Sequence, residues 1–446
     1  MIKAALILCG LIATIAARMR KPSPNGTSKN SYTRYLRVGT PAVIPVKGEY
    51  GFINVNADGD DFFYLLYRTA DNNQTAPLLI WLSGGPGCAS TMAMLYENGP
   101  NMIDNVTHQA VPNPYSWNQK ANLLFIDQPL GTGFGHSSQR NMAVTEEDVR
   151  TTFLQFMIGF YQKHPEFVGR KLFISGESYA GHYVPAVSNK LFLYQNNYFN
   201  LQGVAIGNGW TSPQYQEVPY ADFALNHSAI TGVTQQKYDQ LKPLFELCEK
   251  LYLQNPVMYQ MYSEAFCDWP FGEIIIDPET QDYKFSIYNI NEPCLSDDCL
   301  DLTDQLNWLS SPEVINEFGV DHPYVDCSDP VYNILTRIDM RTDAAPYLKP
   351  LLEAGLKVLA YNGDQDFICN YLSGVAWTNN LVWKYQAEFN QAPQVQYNML
   401  DGTPVGIMKT YQNFQFLQVF GAGHMVPTDR PKQSLFMINQ FLGYGS

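Results

Sequence analysis

The sequence predicts an α/β protein: a mostly parallel central sheet flanked by helices, with an inserted, mainly helical cap. Three observations predict it. Short uninterrupted apolar runs occupy residues 78–82, 123–126, 172–174 and 203–206, and two more occupy 356–360 and 416–420. Strands covered on both faces read this way, because neither face needs polar residues. Segments with helical spacing lie between the runs, and such alternation argues for a doubly wound sheet. From about Trp210 to Pro330 no run resembles the others, and cysteines and aromatics crowd weakly periodic helical stretches.

In order, residues 50–55 and 62–68 alternate or run apolar around Ala57-Asp58-Gly59-Asp60, which predicts an antiparallel hairpin and a first edge pair. The helix predicted over 144–163 opens with Thr145 and Asp148 in capping-box spacing and stops before Pro165. The run 172–174 enters Ser175-Gly176-Glu177-Ser178-Tyr179-Ala180-Gly181. From Tyr179 onward His182, Val184, Val187 and Leu191 fall into helical spacing. Residues 1–17 form a leader, 18–210 and 331–446 the two parts of the core, and 211–330 the cap.

The composition excludes several classes. Apolar residues make up 46% of the 446 and charged residues 16%, so a packed globular protein is expected and a disordered one is not. Lys and Arg total 28 against 42 Asp and Glu, a net charge of -14. With no long basic run, nucleic acid is not expected as a partner. Lys3, an apolar run and the small residues Ala16 and Ala17 predict a cleaved signal peptide, and no apolar stretch is long enough to span a bilayer. Asn25, Asn73, Asn105 and Asn226 stand in glycosylation sequons, so a secreted or lysosome-like glycoprotein is expected.

Once Cys9 leaves with the leader, seven cysteines remain, so at least one thiol has no partner. Cys294 and Cys299 are near enough in sequence to bridge, and so are Cys248 and Cys267, although four cysteines allow three pairings. No Cys/His spacing typical of zinc appears, so neither a metal nor a cofactor is expected.

Chemistry enters at Ser178. Small residues at Gly176, Ala180 and Gly181 let a strand turn sharply into a helix and hold the serine hydroxyl outward, the nucleophile-elbow pattern. Such a serine needs a base and an acid that orients the base. On an α/β-hydrolase fold these follow in the order Ser, Asp or Glu, His, each on the loop after a late strand. The loop after 356–361 carries Asp364 and Asp366, which spacing does not separate, and the loop after 416–420 carries His424 in Gly421-Ala-Gly-His-Met425-Val-Pro427. Gly84-Gly85-Pro86-Gly87, just past the first apolar run, can expose backbone N–H groups. With the Tyr179 N–H these would form an oxyanion hole.

Trp81-x-x-Gly-Gly-Pro-Gly-Cys88, Gly-Glu-Ser-Tyr-Ala-Gly, Asp366-Phe-Ile-Cys-Asn and Gly-Ala-Gly-His-Met-Val-Pro, in this order, resemble the serine carboxypeptidase family. The resemblance runs from about Tyr50 to Leu442 and takes in Asp127-Gln-Pro129 and Gly207-Asn-Gly209. It implies Ser178 as nucleophile, His424 as general acid and base, and Asp366, over Asp364, as its orienting partner. It implies Gly85 and Tyr179 as oxyanion-hole donors. Trp81, Ser83, Gly84, Glu97, Glu177, Cys369 and Met425 would bind substrate, Glu97 and Glu177 as the carboxyl pair that meets its free C-terminal carboxylate. It also implies a Cys88–Cys327 bridge, which leaves Cys369 as the odd thiol. Ser83 departs from the family pattern, which has Asn there.

The expected function is a serine-type carboxypeptidase acting on peptide or protein C-termini at acidic pH in the secretory pathway, lysosome or vacuole, with a homodimer as one option. The competing readings are acyl transfer by the same triad and a non-catalytic protein that stabilises a partner.

Overall fold

A computed structural model describes residues 44–445, except 105, 195–197, 256–258, 260–266 and 295–298. The expected leader and the sequons at Asn25 and Asn105 lie outside the described residues.

The expected hairpin is β1 (Glu49–Asn54) against β2 (Asp61–Tyr67), paired antiparallel. The six apolar runs become β3 (Leu78–Leu82), β6 (Asn122–Ile126), β7 (Leu172–Glu177), β8 (Leu201–Gly207), β9 (Lys357–Gly363) and β12 (Phe414–Val419). All neighbours among these six are parallel. Two elements extend the picture beyond the sequence reading. β4 (Asn101–Ile103) and β5 (Ala110–Pro112) form a separate small hairpin, and β10 (Gln394–Asn398) with β11 (Pro404–Tyr411) closes the far edge antiparallel. The large sheet has ten strands in the order β1-β2-β6-β3-β7-β8-β9-β12-β11-β10.

Why the runs are apolar throughout is visible in β3. Leu78, Ile80 and Leu82 face one core and Leu79 and Trp81 the other. The first core is filled by α1 (Glu146–Lys163) and α2 (Ala180–Leu193), the second by the C-terminal helix, and both bury apolar area that drives folding. At the start of α1 the Asp148 carboxylate accepts from the Thr145 N–H at 2.9 Å, so the predicted cap is made.

Between β8 and β9 the described chain is helical. α3 (Gln235–Gln254) and several shorter helices enclose a third core of Tyr220, Phe223, Leu241, Phe245, Ile274 and Phe285. That core includes Phe367, the neighbour of Asp366, so the helical segment is packed directly onto a catalytic-loop candidate. α4 (Tyr371–Asn380) and α5 (Pro431–Leu442) follow β9 and β12. Disulfides join Cys88 to Cys327, Cys248 to Cys267 and Cys294 to Cys299, and Cys369 is a buried free thiol. Among the described residues no helix is long and apolar enough to cross a membrane.

Candidate active site

Ser178 stands between β7 and α2 with φ +66°, in the left-handed region that favours glycine. Holding a serine there costs about 1–3 kcal/mol, so its surroundings must over-determine it. They do. The Ser178 N–H donates to Gly207 O at 3.1 Å, and the Ser178 carbonyl accepts from the N–H groups of Gly181 and Trp210, both at 2.9 Å. The flanking glycines are forced by close approach. A Cβ on Gly176 would lie 2.5 Å from Leu82 O, and one on Gly181 would lie 2.6 Å from Trp210 N and Thr211 Oγ1. Ser178 is partly exposed while its neighbours on both sides are buried.

The turn after β9 brings Asp366, not Asp364, to the histidine. His424 Nδ1 lies 2.8 Å from Asp366 Oδ2, with both side chains buried. Asp364 is used locally, accepting from the Gly421 N–H and from Gln365. Asp366 Oδ2 also accepts from Asn208 Nδ2 at 2.8 Å, and Asn208 reaches the Gly423 carbonyl at 3.4 Å. The Asn208 N–H donates to Tyr361 O, so one residue just past β8 ties together the end of β9 and the aspartate and histidine loops. The His424 N–H donates to Tyr288 O at 2.7 Å, and the Tyr288 ring sits 5.3 Å from the imidazole. His424 Nε2, the nitrogen a triad turns to its nucleophile, is buried and makes no hydrogen bond, so the link to Ser178 is not formed in this conformation. In resting enzymes such bonds are often long and tighten when substrate is bound.

The glycine loop after β3 folds against the elbow. A Cβ on Gly84 would collide with Tyr179 N and Glu177 O, so backbone meets backbone there. Among the described residues neither the Gly85 nor the Tyr179 N–H has an acceptor, which leaves both for a ligand oxygen. The loop is held by Cys88–Cys327, by the Ala89 N–H on Asp326 O, and by the Ser328 N–H on Gly87 O. Ser83 Oγ accepts from Trp81 Nε1 at 3.3 Å, and the Ser83 N–H donates to Ser90 Oγ at 3.1 Å. Trp81 is fully buried and packs edge-on against Trp117.

Glu177, the last residue of β7, is buried beside Glu97. Burial drives the Glu177 pKa well above the carboxylate range, and the neighbouring charges of Glu97, Asp366 and Asp429 add to it. Glu97 is also raised, first by burial, while its bond to Glu177 works the other way. Both carboxyls are thus pushed toward holding a proton, and the Oε2 atom of each is buried without a partner. Cys369 is buried, with its Sγ within 4.8 Å of ligand atoms of Asp366 and His424; burial pushes the thiol pKa up, so it is kept protonated. Met425 follows His424 and is partly exposed.

Three contributors escaped the sequence reading. Asn208 lay inside a noted motif, Gly207-Asn-Gly209, with nothing to say that it reaches Asp366. Asp429, which accepts from the Gly423 N–H at 2.6 Å and from Asn289, and Tyr288, in the helical segment, carried no signal.

The family model described as Serine carboxypeptidase matches residues 39–444. Serine carboxypeptidase-like 49 of Arabidopsis thaliana is 34% identical over 92% of this chain and 80% of its own length. Serine carboxypeptidase S10 family member 1 of Dictyostelium discoideum is 35% identical over 88% and 93%. Among solved structures, the prohormone-processing carboxypeptidase Kex1(delta)p of Saccharomyces cerevisiae superposes with a TM-score of 0.77 at 25% identity, covering 88% of this chain and 90% of that one. Sheet, elbow and matches agree: the chain has the α/β-hydrolase fold, belongs to the serine carboxypeptidase family and is a serine-type carboxypeptidase.

Proposed function

We propose that the enzyme removes C-terminal residues from peptides and proteins through an acyl-enzyme on Ser178, working best in an acidic compartment of the secretory pathway. The observation that carries this is the buried 2.8 Å bond between His424 Nδ1 and Asp366 Oδ2, which leaves Nε2 as the base. In this reading Ser178 Oγ attacks the scissile carbonyl carbon while Nε2 takes its proton, and the N–H groups of Gly85 and Tyr179 receive the oxyanion. The imidazolium then protonates the departing amine, the C–N bond breaks, and an ester on Ser178 remains. Water activated by the same nitrogen hydrolyses it.

The specificity for a free C-terminus rests on the Glu97–Glu177 pair. A protonated carboxyl donates to the substrate carboxylate, whereas an ionised pair would repel it. Trp81, Ser83 and Gly84 complete that end of the site, and Cys369 and Met425 line the pocket for the leaving residue. Residues 211–330 serve as a cap inserted into the core, contributing Tyr288 beside His424.

The test is to incubate blocked dipeptides with wild type and Ser178→Ala at pH 4.5 and 7, with a fluorophosphonate probe in parallel. Release of the C-terminal residue, faster at pH 4.5 and absent in Ser178→Ala, with labelling confined to Ser178, supports the reading. Labelling without amino-acid release, or transfer to an added alcohol in preference to water, contradicts it.

A further inference from the structure

Away from the catalytic centre, two imidazoles and two carboxylates meet where the loop after β6 crosses the segment ahead of Cys327. His136 turns Nδ1 to the Asp61 carboxylate at 3.1 Å and Nε2 to Asp321 Oδ1 at 3.3 Å. The His322 ring stands 5.0 Å from the His136 ring, nearly perpendicular to it. One ligand atom from each of His136, Asp321 and His322 lies within 4.8 Å of the other two. The backbone beneath is fixed. Gly133 and Val325 exchange N–H···O bonds at 2.7 and 3.2 Å, the His136 N–H donates to Asp61 at 2.9 Å, and Cys88–Cys327 closes the segment.

The geometry points to a divalent transition-metal site, zinc by its ligand chemistry, held by His136 Nε2, Asp321 and His322, with Asp61 orienting His136. Ligand atoms about 2.0–2.1 Å from a tetrahedral zinc stand about 3.3 Å apart, and His136 Nε2 and Asp321 Oδ1 already have that separation. A carboxylate on the far nitrogen of a ligating histidine is the arrangement that fixes its tautomer for a metal, and Asp61 supplies it. His322 supplies the second imidazole. Its Nδ1 faces Pro323 O at 2.9 Å and its Nε2 faces Phe134 O at 3.1 Å. A protonated ring donates to both oxygens, whereas a neutral one has a single N–H and leaves its other nitrogen with a lone pair that a cation can take. Two histidines, one carboxylate and a water make a complete zinc set.

The site is pH-dependent. The groups facing His136 are Asp61 from β2 and Asp321 and His322 from the segment before Cys327. A histidine ligates through an unprotonated nitrogen. Protons therefore compete with the metal, so binding at neutral pH is released in acid.

The test is calorimetric titration of the metal-stripped, full-length enzyme with zinc chloride at pH 7.5 and at pH 5. The proposal expects one equivalent bound at pH 7.5 and at least tenfold weaker binding at pH 5. His136→Ala should weaken binding at least tenfold and Asp61→Asn by roughly 10–100-fold, while His424→Ala, which dismantles the other cluster containing histidine, should leave it unchanged. Should His136→Ala not fold, Asp321→Asn, at an exposed side chain, gives the same readout. No saturable binding at pH 7.5, or binding that survives His136→Ala or Asp321→Asn and disappears in His424→Ala, overturns it.

Discussion

Two sets of buried carboxyls lie near Ser178, and the protein gives them different partners. Asp366 Oδ2 receives donors from two directions, Asn208 Nδ2 and His424 Nδ1, each at 2.8 Å, while its Oδ1 is buried without a partner. Glu177 has only Glu97, another acid, and the Oε2 atoms of both are buried without partners. A carboxylate that accepts two hydrogen bonds keeps its charge when buried, whereas one buried without donors keeps its proton. The sheet thus places a carboxyl with two hydrogen-bond donors behind the imidazole, and an acid held neutral where, in the proposed reading, the anionic substrate end sits.

Removing the nucleophile breaks the first half of this comparison most severely. Ser178→Ala should lower kcat/KM by roughly 10⁴–10⁶-fold, and Asp366→Asn by about 10⁴-fold, each with a peptide KM that still varies with pH because the Glu pair is intact. Asn208→Ala removes a donor to the Asp366 carboxyl. A hydrogen bond to a charged group contributes ~1.5–3 kcal/mol, so kcat should fall by about 10–100-fold with KM little altered, and Asn208→Gln should recover part of the loss. Loss confined to KM would place Asn208 in substrate binding instead. Ser83→Asn is a smaller perturbation at the other end. A longer donor beside the substrate carboxylate should lower peptide KM by roughly threefold to tenfold, within the range of one ordinary hydrogen bond, with esters unaffected.

A third buried acid lets the electrostatic half be tested apart from catalysis. Glu146 opens α1 with both carboxylate oxygens unpartnered, and burial first, then Asp339, raises its pKa well above the ordinary value. The folded state therefore holds a proton that the unfolded chain gives up. The stability this contributes is fully present below the unfolded pKa near 4.5 and is lost as pH rises toward the higher folded value. Glu146→Gln should leave Tm at pH 4.5 nearly unchanged and raise it by a few degrees at pH 7.5; thermal denaturation at the two pH values checks this.

How much of this was legible in the sequence follows from burial. Of the six inner strands, four announced themselves as unbroken apolar runs and two as runs interrupted once, by Lys357 and Gln418. β10 (Gln394–Asn398) is mostly exposed at the sheet edge and mixes Gln, Val, Tyr and Asn, so no pattern marked it. The elbow was legible because close approach demands Gly176 and Gly181 at fixed spacing. Asp364 and Asp366 could not be separated by spacing, since both sit on one loop and the choice is made by His424 arriving from another. Asn208 and the His136–Asp321 pair are three-dimensional facts, with partners 158 and 185 residues away in the chain.

The most direct test is KM for a blocked dipeptide and for its ester analogue, measured from pH 4 to 8 in wild type and in Glu177→Gln. The account predicts that the wild-type peptide KM rises steadily with pH as the Glu pair ionises, that the ester KM stays nearly level, and that Glu177→Gln flattens the peptide curve. A wild-type peptide KM that is level across the whole range would contradict it.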